Sequence, residues 1–198
     1  MYLSMLLRPQ MQPEALMGVT GMAAVAAARA VERFTREPVG IKWTNDLTLH
    51  GKKLCGILTE MSMEGESGIV QSLVIGVGIN VLQRPGDFTP EVARMATSLL
   101  EEGYQVSRPQ LASALIQELD RLRLELGGNT DLWVEEYRRR CVNLGREVRL
   151  LWTKEQTRAY VLDIDDHFGL VVRLEDGTIT TLRTGEVSVR GFYGYADL

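Results

Sequence analysis

Cysteine, histidine and aromatic residues are all scarce in this 198-residue chain: two cysteines, two histidines, and Phe, Trp and Tyr together at 7%. The cysteines, Cys55 and Cys141, stand far apart and form no CxxC pair. That excludes a disulfide framework and a Cys-based metal cluster, and it points to a reducing cytoplasm. His50 falls in a turn and His167 in the C-terminal part; both read as surface residues, and no Ser/His/Asp triad can be built from them. A phosphate-cradling GxxxxGK is missing as well. So is a positive net charge: 22 basic against 26 acidic side chains leave −4. This argues against broad binding to nucleic acid or to a membrane surface. Charge-free stretches occur at 15–28 and 67–83. The first is short and Ala-rich, and the second is broken by Gln71, Ser72, Asn80 and glycines, whereas a membrane span needs roughly 20 apolar residues. No signal-peptide pattern opens the chain.

What is present is an ordinary globular composition, 45% hydrophobic and 24% charged, and a length enough for one substantial domain or one medium and one small. Met1-Tyr-Leu-Ser-Met-Leu-Leu7 reads as a strand from the first residue, so either the domain opens on a core strand or the chain is a fragment. Pro13 suits the first turn of a helix. From 14 to 34 the residues Leu16, Val19, Ala23, Ala27, Ala30 and Phe34 recur at helical spacing. Strands are expected at 39–43 and 53–61, with a turn at Thr48-Leu-His-Gly51. A long strand is expected at 69–81, apolar enough to be covered on both faces. Thr89-Pro-Glu opens a helix to about 102, Ser107-Arg-Pro a second to 126, and Asp131 caps a third that ends near 144.

From 146 the texture changes to five short strands, at 147–152, 158–163, 170–174, 178–182 and 187–190, with Glu175-Asp-Gly177 as a hairpin turn. The expected architecture is α+β: a mixed sheet with helices over residues 1–145, then a small β-barrel over 146–198.

One stretch carries chemistry. Ile41-Lys-Trp-Thr-Asn-Asp-Leu47 ends a short apolar strand with Lys42, Asn45 and Asp46, and a second strand with its own Gly56 follows. Charged groups at the end of a buried strand suit either a binding site or a solvated turn. Gly76-Val-Gly-Ile-Asn80 lacks the third glycine of a dinucleotide fingerprint; its glycines mark a bulge or a close approach, and Asn80 is either a partnered polar group or a turn residue. Cys55 reads as a buried small hydrophobe. Trp133 and Tyr137, at i and i+4, read as helix packing.

Three linked strings, Ile41-Lys-Trp-Thr-Asn-Asp-Leu47, Gly51-Lys-Lys-Leu-Cys-Gly-Ile-Leu58-Thr-Glu60 and Ile75-Gly-Val-Gly-Ile-Asn-Val81, resemble the biotin–protein ligase family in order and spacing. The opening Tyr-Leu-Ser strand, Ala96-Thr-Ser-Leu99 and the terminal barrel resemble it too. The resemblance implies a class II synthetase-like core followed by an SH3-like barrel. It also implies a two-step reaction: biotin and ATP form biotinyl-adenylate, and a carrier-protein lysine then takes the biotin. Lys42 matches the family's catalytic lysine, which contacts the biotin carboxylate and the α-phosphate. Leu54, Gly56 and Ile57 match the strand along biotin. Asn45, Asp46, Gly76, Gly78 and Asn80 match the ATP side, with Asp46 a candidate ligand for Mg²⁺. The implied partners are a biotin carboxyl carrier domain and, with part of the sheet uncovered, a second copy of the chain; membrane is not among them.

Two departures stand out. Position 44 is Thr where the family usually has Pro, which implies a looser loop. The family's Arg/Gly-rich loop segment, expected ahead of the first strand, finds no match in residues 1–198, nor does the DNA-binding helix-turn-helix of the regulatory members. By that resemblance, residues 1–198 alone retain biotin poorly and adenylate it little. A lipoate or octanoate ligase or transferase shares the core and is the neighbouring alternative. A non-catalytic binding or dimerisation relic is the third.

Overall fold

A computed structural model describes residues 1–65, 68–150 and 157–183. Its first sheet has the order β1-β5-β4-β3-β2, formed by Tyr2–Leu7 (β1), Gly40–Lys42 (β2), Asp46–Leu49 (β3), Lys52–Met63 (β4) and Val70–Ile79 (β5). The ladders are antiparallel, and parallel contacts enter as the isolated bridges Ile41↔Cys141 and Lys53↔Ala96.

The helix α1, Val19–Thr35, lies on one face of this sheet. Its alanines Ala23, Ala24, Ala26, Ala27, Ala28 and Ala30 are all fully buried, because the sheet covers one side and α3 (Arg108–Glu125) and α4 (Asp131–Arg140) cover the other. Small side chains allow that close approach on every side. Within the described residues, Pro13–Thr35 also has the length and apolar character of a membrane-crossing helix, but 67% of its most apolar window is buried inside the protein. Charged links tie the helices together. Glu118 on α3, nearly fully buried, meets Arg29 and Arg33 of α1 and Arg121 of its own helix. Arg140 of α4 bridges Glu32 and Glu136.

Several expectations need correction. The sequence reading placed a turn over 48–51, but Asp46–Leu49 is a strand with Leu47, Thr48 and Leu49 buried. The turn itself is only His50-Gly51, with φ of 48° and 79°, the paired positive values that a tight hairpin requires. β5 is not covered on both faces: Leu73, Ile75, Val77 and Ile79 are buried against α1, while Ser72, Val74, Gly76 and Gly78 face an open side. The helix expected to run to about 102 stops after one turn, α2, Pro90–Ala93. Residues 95–100 pair instead with strand ends: Lys53 N donates to Met95 O (2.7 Å), Thr97 N to Lys53 O (2.9 Å) and Leu100 N to Val81 O (2.9 Å). Those partners satisfy the backbone as well as a helix would. The cap of α4 is Thr130 rather than Asp131, whose own N–H goes to Asn129 Oδ1 at 2.7 Å.

The second sheet has the order β6-β7-β8-β9, from Glu147–Leu150, Thr157–Ile164, Leu170–Leu174 and Ile179–Leu182. The expected hairpin at 175–177 is present, with Leu174 N donating to Thr178 O at 2.9 Å. The fifth strand, expected at 187–190, lies outside the described residues.

The β7–β8 turn docks on α1. Asp165 Oδ1 accepts the N–H groups of His167 (2.9 Å) and Gly169 (2.8 Å), and Phe168 projects from the turn into the core. Its ring fills the space above Gly18 and Gly21, and it meets the Tyr137 ring edge-on at 5.3 Å. A Cβ on Gly21 would come within 2.2 Å of the Phe168 ring. Gly→Ala inside a helix ordinarily stabilises by about 0.5–1 kcal/mol. At Gly21 the sign reverses: Gly21→Ala is expected to cost about 1–3 kcal/mol in urea unfolding, from overpacking. Adding Phe168→Leu to the same chain recovers part of that loss. A gain in stability for Gly21→Ala alone contradicts the packing described.

Candidate functional site

On the open face one row of residues crosses the sheet. Tyr2 pairs with Gly78, Gly78 with Gly56, Gly56 with Asp46, and Asp46 with Lys42. The two adjacent glycines leave a stretch of bare backbone between the Tyr2 ring and the charged pair. The ring sits over one end of it: a Cβ on Gly78 would be 3.1 Å from Tyr2. An open cavity of about 430 Å³ stands on this row. Lys42, Asp46, Lys53, Leu54, Gly56, Gly78 and Asn80 line it, with Phe88, Val92, Met95 and Ala96 as a largely apolar wall.

The loop between Lys42 and Asp46 is held from several directions. Trp43 N donates to Asn143 Oδ1 (2.6 Å), and Trp43 Nε1 donates to Phe168 O (2.8 Å). Tyr137 Oη donates to Thr44 O (3.0 Å). Asn45 Nδ2 donates to Ile57 O (2.6 Å), while Ile57 N donates back to Asn45 O (3.0 Å). Thr44 therefore does not leave the loop loose; Tyr137 anchors its carbonyl.

Six of the residues singled out in the sequence meet in this cavity: Lys42, Asp46, Leu54, Gly56, Gly78 and Asn80. Asn45 spends its side-chain amide on β4, and the Ile57 side chain is buried on the core side. Gly76 lies farther along the open face, opposite Ser4 and Leu58. Asn80 ties strand ends together, its Nδ2 donating to Thr97 O at 2.9 Å. Sequence reasoning missed Lys53, Tyr137, Asn143 and Phe168. Lys53 was within a quoted string; the other three reach the loop from more than 90 residues away.

The electrostatics are uneven. Lys42 is half-buried, and burial lowers its pKa from the ordinary lysine value; Asp46 opposes that shift and Lys53 adds to it. Lys53 Nζ pairs with Asp46 Oδ1 at 2.6 Å. Cys55 is pushed far up by burial and Cys141 up to about 11, so both thiols stay protonated at neutral pH and neither is a nucleophile. Among the described residues no three His, Cys, Asp or Glu side chains converge on a metal-sized site. Asp46 is the one carboxylate among the described residues that line the cavity.

At the β3–β4 turn His50 is clamped between Glu102 (2.5 Å) and Glu37 (2.8 Å), and Glu102 also accepts from Thr97 at 2.6 Å.

The first 80 residues match the family model described as the biotin/lipoate A/B protein ligase family. The bifunctional ligase/repressor BirA of Bacillus subtilis is 42% identical over 108 residues, which is 54% of this chain and 33% of that protein. Escherichia coli BirA is 31% identical over 192 residues, 96% of this chain and 58% of that protein. The apo structure of biotin protein ligase from Aquifex aeolicus superposes with a TM-score of 0.81 at 27% identity, covering 96% of this chain and 81% of that one. Its complex with biotin and ATP gives 0.76 at 25% identity, covering 96% and 77%. The resemblance carried by the three strings is borne out: over most of its length the chain is similar to biotin protein ligases. It spans 33% and 58% of the two curated relatives' lengths.

The His50 clamp has a defined pH signature. Hydrogen bonds from Glu102 and Glu37 raise the His50 pKa above 6.5. For Glu102, burial pushes upward but the His50 and Thr97 hydrogen bonds outweigh it, leaving it below 4.5; Tyr104 and His50 hold Glu37 below 4.5 as well. The His50 contribution is full below its unfolded pKa and disappears as pH rises through the raised one; the glutamate contribution disappears as pH falls below about 4.5. The melting temperature of wild type minus that of His50→Gln is therefore expected to peak between about pH 4.5 and 6.5 and to fall as pH rises through the raised His50 pKa. A difference that grows with alkalinity contradicts the clamp.

Proposed function

We propose that this chain is the ligase portion of a biotin–[carboxyl-carrier protein] ligase, and that the Lys42–Asp46–Gly56–Gly78 row is its reaction site. The observation that carries this reading is the convergence, in one cavity, of residues from all three family strings. Biotin's carboxylate attacks the α-phosphorus of ATP and pyrophosphate leaves. The ε-amine of a carrier lysine then attacks the mixed anhydride and AMP leaves. Lys42 contacts the biotin carboxylate and the α-phosphoryl oxygens, where negative charge gathers in the first transition state. A fixed ammonium in a partly desolvated site stabilises that charge more than it stabilises the ground state. The bare backbone at Gly56 lets a flat ring lie against β4, with Leu54 and Ile57 shaping the strand beneath it. The nucleotide extends over Gly76 and Gly78, with Asn45, Asp46 and Asn80 supporting that side. Asp46 would hold a Mg²⁺ ion at this site, and the ion would supply positive charge to neutralise the ATP phosphates.

The same reading takes the chain as two units, 1–145 and 146–198, the second completing an SH3-like barrel. It places the protein in the cytoplasm, where the free thiols Cys55 and Cys141 stay reduced, and away from membranes. Its partners are a biotin carboxyl carrier domain and, across the open face with exposed Tyr2, Leu6 and Leu58, a second copy of the chain. The family description also covers lipoate enzymes. Biotin is favoured because the solved structures with long matches are biotin protein ligases.

The test is biotin-dependent ATP–pyrophosphate exchange. Wild type is expected to exchange above the no-biotin background, and Lys42→Ala to lose about 10²-fold or more, falling to background. Exchange by Lys42→Ala at the wild-type rate contradicts the role of Lys42. Exchange driven by lipoate instead of biotin moves the protein to the lipoate side. No exchange with either acid supports a non-catalytic module.

A further inference from the structure

Arg138 follows Tyr137 in α4 but reaches the second sheet. Its Nε donates to Ile164 O at 2.7 Å and its Nη2 to Asp166 Oδ1 at 3.0 Å, and Nε also pairs with Asp163 Oδ1 at 3.3 Å. All three partners stand where β7 runs into the β7–β8 turn. An irregularity in β7 brings them there. Val161 pairs with Val172 and Asp163 with Val171, so Leu162 is an extra residue in the ladder. Strict alternation would bury Asp163 with Val161 and expose Ile164. The bulge reverses this: Ile164 is fully buried and the Asp163 side chain is 56% exposed.

The turn that follows holds a strained residue. Phe168 has a φ of 62°, in the left-handed region that a bulky side chain rarely adopts. Such a conformation persists where its surroundings over-determine it, and it marks places where geometry matters. Asp165 supplies much of the constraint. Its Oδ1 accepts the His167 and Gly169 N–H groups, its backbone O accepts the Phe168 N–H at 3.0 Å, and its Oδ2 pairs with Arg183 at 2.7 Å. The result aims the Phe168 carbonyl at the Trp43 indole.

Two consecutive residues of α4 thus act on two consecutive residues of the Lys42 loop. Tyr137 holds Thr44 directly. Arg138 holds the root of the turn that holds Trp43. Its ion pairs are with exposed carboxylates, 84% exposed at Asp166, and contribute little. The bond to Ile164 O is the firmer constraint, because it fixes backbone to α4.

We infer that Arg138 is a positioning residue of this site: it seats the β7–β8 turn against α4, the turn seats Trp43, and Trp43 seats its neighbour Lys42. Arg138 does not line the cavity, so its effect falls on geometry rather than on affinity. A displaced ammonium loses most where charge gathers, in the transition state. The catalytic consequence rests on the function proposed above; the link from Arg138 to Trp43 does not.

Two readouts on the full chain test it. The first is deuterium exchange of the Trp43 indole N–H, followed by NMR and assigned by its absence in Trp43→Phe. Arg138→Met is expected to speed that exchange about 10-fold, the effect of one weakened hydrogen bond. The Trp133 indole, bonded to Glu125, is expected to keep its wild-type rate. The second is steady-state biotin-dependent ATP–pyrophosphate exchange. Arg138→Met is expected to lower kcat about 10-fold or more, with KM for ATP and for biotin within about 3-fold of wild type. Arg138→Lys keeps a cation and a donor but not the fork, and is expected to fall between the two in both readouts. If Arg138→Met does not fold, Arg138→Lys replaces it, and wild-type values there overturn the inference. An unchanged Trp43 indole rate in Arg138→Met overturns it, as does a rise shared equally with Trp133. A wild-type kcat, or a loss confined to KM, does so too. If wild type itself does not exchange with biotin, the ligase reading falls, and the inference stands or falls on the Trp43 indole.

Discussion

Asn143 takes the backbone N–H of Trp43, Phe168 takes its indole N–H, and Tyr137 donates to the carbonyl of Thr44. These bonds, with the Asn45–Ile57 pair, fix a three-residue loop whose two ends are Lys42 and Asp46. The rest of the site depends on that loop. It sets the Lys42–Asp46 register, the register puts Asp46 beside Gly56, and Gly56 beside Gly78 makes the cavity floor. The partners come from β4, α4, the segment just after α4 and the β7–β8 turn, so four separate parts of the fold meet behind one charged pair. Most of these groups are buried, where each unmade hydrogen bond costs about 1–3 kcal/mol. The loop therefore has few inexpensive alternative conformations. Asn143 itself is almost fully buried and its Nδ2 has no partner among the described residues, so the Trp43 bond and packing hold its orientation.

The second sheet reaches the site through Phe168 rather than by lining the cavity. The turn that carries Phe168 is organised locally by Asp165, and the ring is seated where Gly18 and Gly21 leave α1 without side chains. The same ring meets Tyr137, and the same residue's carbonyl holds Trp43. Packing at the junction of the two sheets and geometry at Lys42 are thus one problem for the chain, since interiors at native density transmit displacement rather than absorb it.

Much of this was legible in the residues. β1, α1, α3, α4 and the hairpin at 175–177 follow from strong local signals: alternation, Ala/Leu periodicity, Pro near helix starts and Gly at a turn. Lys42, Asp46 and Gly56 stood out as charges and a glycine at strand ends, although their roles came from the family resemblance. What local reasoning lost had non-local causes. Asp46–Leu49 is a four-residue strand, too short to announce itself beside a turn signal. Residues 95–100 abandoned a well-capped helix because Lys53 and Val81 offered backbone partners. Lys53 was hidden by the bulge at Leu54, which reverses the face that alternation assigns it. Tyr137 and Phe168 carry no sequence mark of their part in the site, since Tyr137 fits ordinary helix packing and Phe168 a surface turn.

The central claim is that the glycine row between Tyr2 and Lys42 is the seat of an acyl-adenylate. Calorimetric titration of the chain with biotinyl-adenylate tests it most directly, because binding is read without the need for turnover. The account predicts one-to-one binding that weakens sharply when a side chain is restored at the floor in Gly56→Val, with the unliganded fold intact. Binding of the adenylate to Gly56→Val as tightly as to wild type, or no binding to wild type at all, would contradict it.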